Sequence, residues 1–133
     1  MTLTRREFVQ LAVAMGASLA WGGPARASTT GWREQRDLYP QGVASGDPDS
    51  RSVILWTRRP FASRERHLLT VEVAEDDAFR RVVAKTTAPV SAESDWTTRV
   101  LVGHLEPARV YWYRFTDGEG NGSRVGRIIL EQK

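Results

Sequence analysis

Hydrophobic and polar positions alternate along most of the chain beyond residue 50. Ser52 to Arg58 sets Val53, Leu55 and Thr57 on one face and Ile54, Trp56 and Arg58 on the other, the two-residue period of a strand. Both faces are mostly apolar, which predicts a strand in the middle of a sheet or beneath a second layer. Leu68 to Glu75 alternates more cleanly, with Leu69, Val71 and Val73 opposite Thr70, Glu72 and Ala74. Phe79 to Thr86 is a weaker strand, closed by Ala88-Pro89. Trp96 to His104 sets Thr98, Val100 and Val102 on one side. Val110 to Asp117 groups Tyr111, Tyr113 and Phe115 against Val110, Trp112 and Arg114. A glycine-rich turn, Asp117 to Gly122, leads to a last strand over Ser123 to Leu130. No window of about 11 residues after the opening segment has helical spacing. Short strands between turns predict an all-β sandwich.

The opening segment has a different pattern. Thr4-Arg5-Arg6-Glu7-Phe8 runs into a mainly apolar stretch from Phe8 to Trp21 and ends at Pro24-Ala25-Arg26-Ala27. The stretch is too short to span a bilayer, which takes about 20 apolar residues. Ala25 and Ala27 fit a small-x-small cleavage site, so the mature chain is expected to begin at Ser28. Arg5 and Arg6 followed by x-Phe8 resemble the twin-arginine export signal, with Val9 and Gln10 replacing the common Leu and Lys. The resemblance implies the twin-arginine export machinery as a partner, a periplasmic or extracellular location, and no stable membrane span. The expected organisation is a signal peptide over 1–27, a polar linker over 28–38, a sandwich over 39–130 and a tail over 131–133.

Charge then reads differently. The whole chain carries a formal +3, but Arg5, Arg6 and Arg26 against Glu7 place +2 of it in the leader, leaving +1. The basicity therefore does not argue for nucleic acid, and Arg58-Arg59 and Arg64-Glu65-Arg66 read as solvated loop charges. There are no cysteines, which removes disulfides, thiolate metal sites and a Cys nucleophile. Without its 27-residue leader the 133-residue chain leaves 106 residues, enough to bury roughly 60–70% of the unfolded surface without a metal or disulfide.

The stretch Tyr39 to Pro60 organises the rest. Gly42, Ala44, Ser45 and Gly46 form a lead-in of small residues that another backbone could approach closely. Asp47-Pro48-Asp49-Ser50 reads as a turn with side-chain caps. Gly42, Ala44, Ser45, Gly46 and Asp47 are therefore candidate contacts for another domain, together with Trp112 on the face opposite Tyr111 and Tyr113.

Catalytic chemistry is hard to assemble from these residues. His67 and His104 are the two histidines, far apart in sequence and outside any metal-ligand spacing. Ser45 sits in G-x-x-S-G, not the G-x-S-x-G of a nucleophile elbow, and a strand follows where that motif needs a helix. The glycines lack the ending of a phosphate loop. Glu75-Asp76-Asp77 reads as a solvated strand end. Trp56, Trp96, Trp112, Tyr111 and Tyr113 fit core and corner packing better than a flat sugar platform. No catalytic, cofactor-binding or metal-binding residue is assigned.

Two resemblances sharpen this picture. Leu105-x-Pro107 followed by Tyr111 resembles the loop and corner tyrosine of fibronectin type III domains, implying that fold or an immunoglobulin-like relative, with the Tyr111 phenol bonded to backbone. Gly42-Val43-Ala44-Ser45-Gly46-Asp47-Pro48, then Ser52 to Arg58, Leu105 to Phe115 and Ser123 to Arg127, are very similar to the N-terminal, non-catalytic domain of PhoD-like alkaline phosphatases. The resemblance runs from about Tyr39 to about Arg127. It implies a fragment of a secreted phosphodiesterase, packing against a metallophosphoesterase domain that carries the family's iron and calcium. None of that domain's ligands maps onto this sequence, and Ile129 to Lys133 departs from the family's exit from the sandwich. The alternative is a free-standing secreted adhesion or carbohydrate-binding module; a phosphatase in its own right lacks ligands.

Overall fold

Period-two burial is what the folded chain shows. The computed structural model describes residues 3–130, leaving out the side chains of Asp47 and Pro48; the expected tail at 131–133 lies outside the described residues. One helix, α1 (Arg5–Met15), precedes the strands β1 (Ser18–Trp21), β2 (Arg33–Glu34), β3 (Val43–Asp49), β4 (Ser52–Arg58), β5 (His67–Ala74), β6 (Val82–Val90), β7 (Thr97–Gly103), β8 (Val110–Thr116), β9 (Asn121–Gly122) and β10 (Gly126–Ile129). They form two sheets, ordered β1-β7-β4-β3 and β2-β9-β8-β5-β6, with β10 also paired to β8. The fold is an all-β sandwich.

The alternating apolar residues supply its interior. Val53 pairs with Val102 and Leu55 with Val100 in the first sheet, while Val71 pairs with Phe115 and Val73 with Tyr113 in the second. These faces, with Leu69, Tyr111 and Leu105, form one buried cluster between the layers. Buried apolar area is the main favourable term of such a fold. The outward residues of β4, Ile54 included, are half-buried, as the two-sided apolar pattern requires for an inner strand beneath a further layer.

That further layer comes from the segment expected to stand apart as a leader. Phe8 and Ala12 of α1 are buried against Leu101 on the outer face of the first sheet. Gly103 makes room, since a Cβ there would stand 3.1 Å from the Phe8 ring. β1 adds to β7 in parallel, and Ala20 enters the main core. The free edge of β7 and the apolar run from Phe8 to Trp21 satisfy each other, which linear patterning does not reveal.

Three local expectations change. The small-residue lead-in is itself a strand: β3 pairs antiparallel with β4, Val43 opposite Thr57 and Ser45 opposite Leu55. The turn accordingly falls later, and Asp49 caps it, accepting from Arg51 N at 2.7 Å and Ser52 Oγ at 2.8 Å. β6 runs through Ala88-Pro89 to Val90. Proline lacks a donor, but β6 is outermost in its sheet, where that loss is tolerated. The linker, finally, is partly ordered: Arg33–Glu34 pairs with Asn121–Gly122, and Arg36–Leu38 forms a 3-10 turn.

Candidate functional site

The small-residue stretch occupies the outermost strand of the first sheet. Ala44, Ser45 and Gly46 are exposed there; of Asp47 only the backbone is described. The two glycines differ in what they need. Gly42 has φ +69°, a left-handed conformation that favours glycine locally, and its carbonyl accepts from Thr57 Oγ1 at 2.8 Å. Gly46 has no such backbone, and a Cβ added there meets nothing within 4 Å. Neither conformation nor packing within the described residues asks for glycine at 46. A register shift between Gly46 and Asp49 bends the strand next to it. The result is a strand of small side chains with no outer neighbour in its sheet among the described residues.

The other sequence candidates are dispersed. Trp112 lies on the outer face of the second sheet, half-buried against the cluster of Ala74, Phe79 and Val82, away from β3. The Tyr111 hydroxyl accepts from Glu106 N at 2.9 Å, across the connection that carries the chain from β7 in one sheet to β8 in the other. Arg5 and Arg6 are exposed in the first turn of α1, Phe8 is buried, Ala27 is exposed and Ala25 half-buried.

Two buried ion pairs escaped sequence reading. At one end of the sandwich Arg59, following β4, donates from Nη2 to Asp117 Oδ2 at 2.7 Å. Asp117 Oδ1 also accepts from Glu119 N at 2.9 Å and Asn121 N at 3.0 Å. Burial alone would raise the Asp117 carboxyl; the Arg59 guanidinium and these two amides overcome it and hold the group below the usual carboxylate range. Nearby, burial and the Asp117 charge raise the Tyr39 phenol well above its ordinary value, and its hydroxyl donates to Asn121 O at 2.8 Å. The second pair lies on the outer face of the second sheet. Arg114 meets Glu72 Oε1 at 3.1 Å, and the guanidinium sits over the rings of Phe79 at 3.9 Å and Trp32 at 4.9 Å. Glu72 Oε2 accepts from Ser28 Oγ at 2.7 Å. Opposite charges at facing outward positions, Glu72 and Arg114, were the available signal.

These carboxylates are committed to arginines and leave little for metal chemistry. Among the described residues no three His, Asp or Glu side chains come together to hold a metal ion. His67 stacks on Phe61 with ring centroids 3.7 Å apart. His104 stacks on Trp21 and holds Gly22 O at 2.9 Å through Nδ1. Neither histidine hydrogen-bonds Ser45. No helix among the described residues is long and apolar enough to cross a membrane.

Comparison with known proteins agrees with this geometry. Residues 24–130 match the PhoD-like phosphatase N-terminal domain. The chain is 34% identical over 129 residues to alkaline phosphatase D of Bacillus subtilis (strain 168), covering 88% of this chain and 22% of that protein. A solved structure described as that of PhoD superposes with a TM-score of 0.68 at 34% identity, over 74% of this chain and 20% of the other. The chain thus spans about a fifth of the length of these relatives.

Proposed function

This chain belongs to the PhoD-like phosphatase family, as its N-terminal domain, and on that premise we propose that it is an exported docking domain, itself without catalytic chemistry, for a metallophosphoesterase domain. The observation that carries the docking role is the β3 edge. Gly46 is a glycine with no local reason to be one, directly after exposed Ala44 and Ser45 on a strand that has no outer neighbour in its sheet among the described residues. Such an edge invites a second chain segment to pair with it. Iron and calcium, on this reading, belong to the partner domain.

Export rests on the leader. The family match begins at residue 24, so Arg5, Arg6 and the apolar run lie outside it. Two arginines in a helix's first turn oppose the helix dipole, and the contact that Arg5 makes with the Trp21 ring, 5.7 Å away, leaves Arg6 without a structural reason. Recognition by the twin-arginine machinery gives them a reason. A sugar-binding module is less well supported, since all five tryptophans are half-buried and none is exposed.

Ala44→Leu tests the docking role. The isolated chain should keep its melting temperature, because Ala44 is exposed. Joined to a family metallophosphoesterase domain, the same change should cost about 1–3 kcal/mol of stability through overpacking a tight contact. An equal effect in both chains would assign the stretch to local folding and end the docking reading.

A further inference from the structure

We infer that cleavage after Ala27 creates a bound amino terminus: the new α-ammonium of Ser28 seats on the Phe79 carbonyl and on Glu72. This rests on reading residues 1–27 as a removable leader. Hydrolysis by a host peptidase breaks the Ala27–Ser28 amide and consumes one water. The carboxylate stays on Ala27, and the ammonium forms on the Ser28 nitrogen.

That nitrogen is already held. Ser28 N donates to Phe79 O at 2.9 Å, and the Ser28 hydroxyl is enclosed by three partners. It donates to Glu72 Oε2 at 2.7 Å and accepts from Arg114 Nη2 and Thr30 N, each at 3.2 Å. Nitrogen and hydroxyl oxygen hang one and two bonds from the same Cα, so the grip on one positions the other. Glu72 is 1% exposed, with Oε1 on Arg114 and only the neutral Ser28 hydroxyl on Oε2. An amide nitrogen has one proton, already given to Phe79. An ammonium has three, so the Phe79 bond survives and a proton is free for the half-satisfied carboxylate.

The opposing charges are few. Arg114 faces the site from β8, and Lys85 stands opposite Glu72 on β6. Arg114 shares its charge with Glu72 and two aromatic faces. Arg26, which lines the adjoining cavity of about 360 Å³ with Ala27, Ser28 and Glu72, departs with the leader. Charged hydrogen bonds of this kind are stronger than the neutral ones they replace.

The experiment uses the full chain with a protease recognition segment inserted between Ala27 and Ser28, cut so that Ser28 becomes the first residue. Acetylation of the Ser28 amine is followed by mass spectrometry of the N-terminal peptide, folded and in urea. Seating predicts acetylation at least tenfold slower in the folded protein; rates within twofold would overturn it. Glu72→Gln should bring the folded rate most of the way to the urea rate, and undiminished protection would remove Glu72 from the inference. If that variant does not fold, Glu72→Asp keeps the charge on a shorter stem and should give partial recovery; full wild-type protection there counts against the seat. Because the cut is engineered, the result is independent of the leader reading. N-terminal sequencing of the exported protein tests that separately, and a start other than Ser28 would sink the leader boundary while leaving the acetylation result standing.

Discussion

Asp117→Ala offers the sharpest test of how the sandwich is held at one end. Asp117 is 7% exposed and takes three hydrogen bonds, from Arg59, Glu119 and Asn121. Arg59 follows β4 in one sheet and Asp117 follows β8 in the other, so the pair links the layers. Truncation leaves the Arg59 guanidinium buried, with Phe61 3.9 Å below it and no counter-ion. Removing one member of a buried pair costs about 3–5 kcal/mol, a large share of a small domain's stability. Replacing both residues, as Arg59→Met with Asp117→Ala, should recover a good part of that, since no charge is then stranded. The pH dependence has a definite sign. The folded carboxyl is held below its unfolded value of about 3.9. Its contribution is therefore complete above that value and lost as pH falls through the lowered folded one. Urea unfolding at pH 7 and pH 2.5 measures both effects: wild type should lose more stability than Asp117→Ala on acidification. A loss under 1 kcal/mol at neutral pH, or parallel acid profiles, would refute the linkage.

Further expectations follow from the same framework. Tyr111→Phe removes the acceptor for Glu106 N and should cost about 0.5–1.5 kcal/mol in urea unfolding; an unchanged midpoint would make the corner contact dispensable. Arg5→Lys with Arg6→Lys should leave uncleaved precursor in the cytoplasm, seen by fractionation and blotting, whereas normal export would refute the twin-arginine assignment. The purified chain should not hydrolyse phosphomonoesters or phosphodiesters with or without added iron and calcium; turnover that persists through rigorous purification would overturn the docking-domain reading.

Most of the sandwich was legible because its interior is written in period two. Leu69, Val71 and Val73, or Tyr111, Tyr113 and Phe115, are apolar at every second position, and each set is buried together. What escaped was set by partners rather than by local pattern. Gly42 to Asp49 has a single β-branched residue, Val43, among small and turn-forming ones, and it is a strand because β4 offers it a ladder. Arg59 meets Asp117 across 58 residues, and Arg114 meets Glu72 across 42; neither pair has a local signature.

The opening segment shows how two demands share one stretch. Thr4 and Glu7 make a reciprocal capping box: Glu7 N donates to Thr4 Oγ1 at 3.2 Å, and Thr4 N to Glu7 Oε1 at 2.8 Å. The arginines between them work against the helix that this box starts. In the fold, Phe8 is buried against Leu101 and Trp21, and the chain from Gly23 to Ser28 runs along β6, bonded to Val83, Val82 and Phe79. On the export reading, a leader seated in this way would have to leave β7 and β6. Its removal would uncover the β7 edge and the outer face around Leu101. On that reading docking of β1 and export of the same residues would compete, and the strength of the β1–β7 pairing would set how readily the precursor releases its leader.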